Sequence, residues 1–165
     1  MAKSAILQVS ILAESKWGFH NGRWTEEEKE KSRQGLKQKE EEASALLNLL
    51  QRSLDEHVKQ VRLSDRLVSS PACLVGTEMD YSPQLERLLQ KGKGGGPKQR
   101  RILELNPNHD VFVKMHERFS HNSEGDALDE YADLLMGYAL LAEGSELPDP
   151  VKFNRRMISV MLRTL

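Results

Sequence analysis

The run Gly92-Lys93-Gly94-Gly95-Gly96 is the first place in this chain where chemistry is conceivable, because a glycine-rich turn can turn its backbone N–H groups toward a phosphate. It lacks the Gly-x-x-x-x-Gly-Lys-Ser/Thr spacing of a nucleotide loop, and no helix beginning with Ser or Thr follows it, so its glycines read as a flexible connection. Lys91, Lys93, Lys98, Arg100 and Arg101 surround it as a local basic patch with no acid among them. A nucleic-acid-binding module using loop 91–101 is therefore the alternative reading of the chain. No aromatic residue interleaves these cations to stack on bases, which favours a solvated loop. His109 and His116 are spaced to share a helical face, with His121 just beyond, and a metal-dependent enzyme would start there. A zinc site needs a tight ligand set completed by a carboxylate or a third positioned histidine, and none is evident; these histidines, like His20 and His57, read as surface residues. Cys73 lies in an apolar run and reads as a buried, inert thiol. No serine, histidine and acid arrangement follows from spacing alone. The expectation is no catalytic residue, no metal and no enzymatic activity in this chain.

Composition sets the frame for those negatives. The chain has 165 residues, 38% apolar and 30% charged, which suits one helix-rich domain of polar surface with room for an extra arm. A net charge of −1 provides no global field toward nucleic acid or anionic lipid. The single cysteine, Cys73, excludes an internal disulfide and fits a cytoplasmic location. No apolar run reaches the ~18 residues of a membrane span, so no membrane partner is expected. The stretch Ala5 to Ala13 behind Lys3 has a faint signal-peptide character, diluted by Gln8 and Ser10; an ordinary strand or amphipathic segment is the plainer reading.

The elements follow from periodicity. Thr25 to Glu42 is dense in Glu, Lys and Gln and reads as a solvated helix or charged linker; residues 1–37 as a whole read as a junction or charged linker segment. From Ala43, Leu46, Leu47, Leu49, Leu50 and Leu54 make a helical face ending near Asp55. The period then changes. Val58, Val61, Leu63, Leu67 and Val68, followed by Ala72-Cys73-Leu74-Val75, predict two short strands, broken at Asp65 and Pro71; Ile102 to Leu105 predicts a third. Ser82 to Gln90 reads as a short amphipathic helix. Asn106 is placed to cap a further helix, with Pro107 in its first turn and Val111, Phe112 and Met115 on one face.

Residues 126–165 read as a helical hairpin. Leu128, Tyr131, Leu135, Tyr138 and Ala142 step by three and four along the first arm. Gly144 is suited to end that arm in the left-handed conformation, and Asp149 to cap the next, with Pro150 in its first turn. The second arm puts Phe153, Met157, Val160 and Met161 on one side and Val151, Ile158, Leu162 and Leu165 on another. A helix apolar on two sides needs two partners: the neighbouring arm and, as one candidate, the same hairpin of a second chain. The fold class is α+β, a small three-stranded sheet with packed helices followed by this hairpin.

Val61-Arg62-Leu63-Ser64-Asp65-Arg66-Leu67, Ser70-Pro71-Ala72-Cys73-Leu74-Val75 and Glu104-Leu105-Asn106-Pro107-Asn108-His109 occur in this order. They are followed by Ala139-Leu140-Leu141-Ala142-Glu143-Gly144, Leu147, Asp149-Pro150 and Arg155-Arg156-Met157. In that order they resemble the C-terminal domain of the ninety-kilodalton heat-shock chaperone family, above all its bacterial members. The resemblance covers Glu40 to Leu165, and residues 38–165 are read as that domain; residues 1–24 match nothing in the family's pattern. It implies a homodimer in which the terminal hairpins pair into a four-helix bundle. Leu128, Tyr131, Leu135, Tyr138, Phe153, Met157, Val160 and Met161 are the candidates for hairpin and dimer core, undivided between the two roles. It also implies that the helix at Ser82 to Gln90 offers apolar side chains to unfolded client proteins. The matching positions are Met79, Tyr81, Leu85, Leu88 and Leu89, with Pro83 a departure near the helix start. In the full-length family ATP and Mg are bound elsewhere, so no cofactor is expected on this chain.

Overall fold

The computed structural model describes residues 25–77, 80, 85, 88, 89, 99–121 and 126–165. The chain divides into two units, Met1–Lys37 and Gln38–Leu165. Helix α1 (Glu26–Glu42) begins in the first. It carries ladders of side chains three and four apart: Lys29 Nζ donates to Glu26 Oε1 at 2.7 Å and Gln34 Nε2 to Glu30 Oε1 at 3.3 Å. The charged segment is thus a helix rather than an irregular linker.

The second unit is built on helix α2 (Ser44–Ser53) and three strands, β1 (Val58–Leu63), β2 (Ala72–Val75) and β3 (Arg101–Leu105). Leu46, Leu50 and Leu54 recur every four residues and are fully buried, each burial contributing at most ~1.5–3 kcal/mol. The sheet order is β1-β3-β2, with β3 parallel to β1 and antiparallel to β2. A register shift between Val58 and Gln60 changes the phase of β1, which is why Val58, Val61 and Leu63 all face inward despite their uneven spacing. The outer edge of β1 is closed by side chains: Val61 N donates to Gln51 Oε1 at 2.7 Å and Leu63 N to Glu40 Oε1 at 3.3 Å. Leu67 and Val68, which the sequence assigned to strand, lie instead in the connection between β1 and β2, and Val68 is exposed.

Helix α3 (Asp110–His121) buries Phe112 and Met115. Its start differs from the sequence expectation. Asn106 is buried but does not cap the helix; its Oδ1 accepts from Asn108 N at 3.0 Å, while its amide donates to Ser70 O and Val68 O at 3.2 and 3.4 Å. The residue therefore ties the end of β3 to the approach to β2. His109 takes the capping place, its Nδ1 accepting from Val111 N at 3.1 Å.

Helices α4 (Asp126–Ala142) and α5 (Pro150–Thr164) form the terminal hairpin, and α4 packs against β2, α2 and α5. The fold is α+β, as expected.

Candidate functional site

The turn between α4 and α5 is fixed by chain chemistry. Gly144 has φ 80°, Ser145 N donates to Leu140 O at 2.8 Å, and Gly144 N donates to Leu141 O at 3.0 Å. This is a Schellman ending, in which the last carbonyls of α4 find donors. Asp149 Oδ1 accepts from Lys152 N at 2.8 Å, with Pro150 opening α5. Glu143, at the end of α4, pairs with the buried Arg101 of β3 and accepts from Ser145 Oγ at 2.5 Å. The hairpin is thereby tied to the sheet.

Charge decides which side of α5 faces α4. Arg156 and Lys152 both reach Asp133, the latter at 3.2 Å, and Arg163 reaches Glu130. Arg156 Nη1 also donates to Asp129 O at 3.3 Å. The ring edge of Phe153 packs against Gly137, where a Cβ would come within 2.4 Å of ring carbons Cδ2 and Cε2. These contacts seat α5 by Phe153 and a basic edge. They turn Val151, Ile158, Leu162 and Leu165, with Met157 and Met161 alongside, to the outside. No residue of α5 is buried, and Leu162 is 70% exposed. Tyr138 and Leu141 extend the exposed apolar surface onto α4.

The eight hairpin candidates separate accordingly. Leu128 and Leu135 are buried within their own chain, with Ala132, Met136, Ala139 and Leu140. Tyr131, Phe153 and Val160 are half-buried; Tyr131 accepts from Arg118 Nη1 at 2.7 Å, with that guanidinium 5.8 Å from its ring centre. Tyr138, Met157 and Met161 are exposed. The seam of α4 thus uses Ala132 and Ala139 where the three-four spacing pointed to Tyr131 and Tyr138, since small side chains let the helix approach the sheet closely while the tyrosines remain at its margin.

Leu85, Leu88 and Leu89 are helical and exposed, Leu88 by 70%. Met79 and Tyr81 lie outside the described residues, as does the loop 91–98. The basic patch read from that loop needs correction at its end: Arg101 is buried against Glu143, and Arg100 Nη1 donates to Asp55 O at 2.9 Å. His109 is engaged by Val111 N, and His116 stacks on Phe112 with its Nε2 3.3 Å from Glu42 O. Among the described residues no group of His, Cys, Asp and Glu is arranged to hold a metal.

One charged cluster escaped sequence reading. Register places Arg62 of β1 and Cys73 of β2 on either side of Glu104 of β3, in one row across the sheet. Arg62 Nε and Nη2 donate to Glu104 Oε1 at 3.1 and 2.6 Å, and Arg66 Nη2 donates to Oε2 at 2.5 Å. Burial alone would raise the Glu104 carboxyl, but hydrogen bonds from Arg66, Arg62 and Ser64 outweigh it and hold the group below its ordinary value. Burial, then the Glu104 charge, pushes the half-buried Cys73 thiol up, against the thiolate form. The cluster has the properties of a structural clamp rather than a nucleophile site.

The protein-family model described as "Hsp90 protein" matches residues 18–165, so the family pattern also takes in the charged helix and begins before residue 25. "Chaperone protein HtpG" of Rhodococcus jostii (strain RHA1) is 42% identical over 141 residues, 86% of this chain and 22% of that protein. The protein of the same name from Nocardia farcinica (strain IFM 10152) is 41% identical, again over 86% of this chain and 22% of its own length. That of Bdellovibrio bacteriovorus (strain ATCC 15356 / DSM 50701 / NCIMB 9529 / HD100) is 40% identical over 84% of this chain and 22% of its own. The chain thus spans about a fifth of the length of these curated relatives.

Proposed function

This chain belongs to the Hsp90 protein family, and from that premise we propose that it is the C-terminal dimerisation and client-contact domain of an ATP-dependent molecular chaperone that assists protein folding. It works mechanically, without a catalytic step of its own; ATP and Mg are bound by other parts of full-length family members. Two protomers held at one end meet at the other at high effective concentration. Leu85, Leu88 and Leu89 then offer weak apolar contact to a partly unfolded chain.

The observation that carries this reading is the outward stripe of α5. An amphipathic helix whose own chain buries none of its residues leaves Val151, Ile158, Leu162 and Leu165 for a partner. A second copy fits because the two stripes are identical and can meet across a two-fold axis. Light scattering after size-exclusion chromatography, over a dilution series to low micromolar concentration, is expected to give the mass of two chains. Leu162→Asp places a charge in the stripe without touching the chain's own core, and is expected to raise the dimer dissociation constant about 10- to 100-fold. Leu135 cannot serve as this probe, since it is core. A folded monomer throughout, or a Leu162→Asp dimer as tight as the parent, would overturn the assignment.

A further inference from the structure

The exposed stripe of α5 contains two methionines one turn apart, and their setting differs from that of the other methionines described. Met157 is 41% and Met161 53% exposed, whereas Met115 and Met136 are 4% and 8% exposed in the core. A spacing of four puts the two thioethers next to each other along the helix, bordered by Ile158 and Leu162. A thioether packs as an apolar group, but its sulfoxide is a polar acceptor that an apolar interface cannot satisfy.

We propose that Met157 and Met161 are an oxidative modification site through which peroxide controls self-association of this chain; the inference rests on the reading of α5 as the face met by a second copy. In the reaction the thioether sulfur loses two electrons and takes one oxygen atom from hydrogen peroxide. The O–O bond breaks and water leaves. The dissociated chain is the target, because the free stripe exposes both methionines and a paired stripe covers them. Oxidised chains then re-associate poorly, since each dimer would bury up to four sulfoxides without donors. Two-electron reduction by a dithiol, through methionine sulfoxide reductases, releases the oxygen as water and returns the apolar stripe, so the site is reversible.

The test treats the full chain with hydrogen peroxide at a concentration where it is partly dissociated. The peroxide is removed with catalase, the oxidised residues are mapped by peptide mass spectrometry, and the dilution series is repeated by light scattering. Oxygen is expected at Met157 and Met161 well before Met115 and Met136, with a dimer dissociation constant raised at least about 10-fold. The Met157→Leu/Met161→Leu double variant should dimerise as the parent does and keep that affinity after peroxide, even if Cys73 or other residues are modified. Methionine sulfoxide reductases A and B, supplied together with dithiothreitol, should restore the treated parent. An untreated monomer would overturn the dimer reading and this inference together. An untreated dimer whose affinity is unchanged with both sulfoxides mapped would overturn this inference alone. Equal peroxide sensitivity in the double variant would do the same.

Discussion

Glu104 is the residue on which the sheet's charge balance turns. Its carboxylate is buried, yet it receives Arg62 from the neighbouring strand and Arg66 from the loop after it, so three segments close on one group. Both arginines keep contact with solvent, which lets them remain charged at modest cost while the acid is shielded. Because the folded carboxyl lies below its ordinary value of 4.5, the unfolded chain takes up a proton first as pH falls. The stabilisation is fully present above the unfolded value and is lost as pH drops through the folded one. Glu104→Gln is expected to lower stability at pH 7 by about 1–3 kcal/mol. In urea unfolding at a series of pH values, the gap between variant and parent should narrow below about pH 4.5. A gap constant down to pH 3 would assign the loss to packing instead. No sequence pattern announces this cluster: Arg62, Cys73 and Glu104 become neighbours only through strand register, and the phase change in β1 makes that register unreadable from alternation.

At the scale of elements, the hairpin shows what periodicity contains and what it omits. Both helix ends were legible because they depend on local chemistry: Gly144 at positive φ, Asp149 as cap, Pro150 in the first turn. The division between inner and outer faces of α5 was not, since both sides are apolar. The missing signal was present in the charges: Asp129, Glu130 and Asp133 on one arm complement Lys152, Arg156 and Arg163 on the other, and that match orients the second helix. Asn106 failed as a cap for a related reason, since its amide had two distant loop carbonyls to satisfy. The fit of the two arms also depends on Gly137, against which the ring edge of Phe153 packs with no space for a methyl group. Gly137→Ala gains up to ~1 kcal/mol of helix propensity but must displace an aromatic ring, at about 1–3 kcal/mol. Thermal unfolding is expected to show a lower Tm for the variant. A higher Tm would mean that Phe153 can move aside freely and that the close approach does not hold the hairpin together.

For the whole molecule, the decisive property is that, among the described residues, exposed apolar side chains gather along α5, with Tyr138 and Leu141 of α4, and again at Leu85, Leu88 and Leu89. They differ in kind. The first is a continuous helical face, suited to one self-complementary partner; the second, described at Leu85, Leu88 and Leu89, is suited to weak and varied contact. Their placement on different elements makes the two proposed roles separable by mutation. Leu88→Asp with Leu89→Asp puts charge on exposed positions only, so fold stability should change by no more than ~0.5 kcal/mol and dimer mass should be retained. Protection of an aggregating client, followed by light scattering at stoichiometric chain, is expected to fall to less than about half if apolar contact by these leucines holds the client, as proposed. Leu162→Asp gives the complementary case: association is expected to weaken first, while each separated chain still presents Leu85, Leu88 and Leu89. Unchanged client protection by the Leu88→Asp/Leu89→Asp chain, with its dimer intact, would remove that segment from client contact and leave self-association as the role to be assigned.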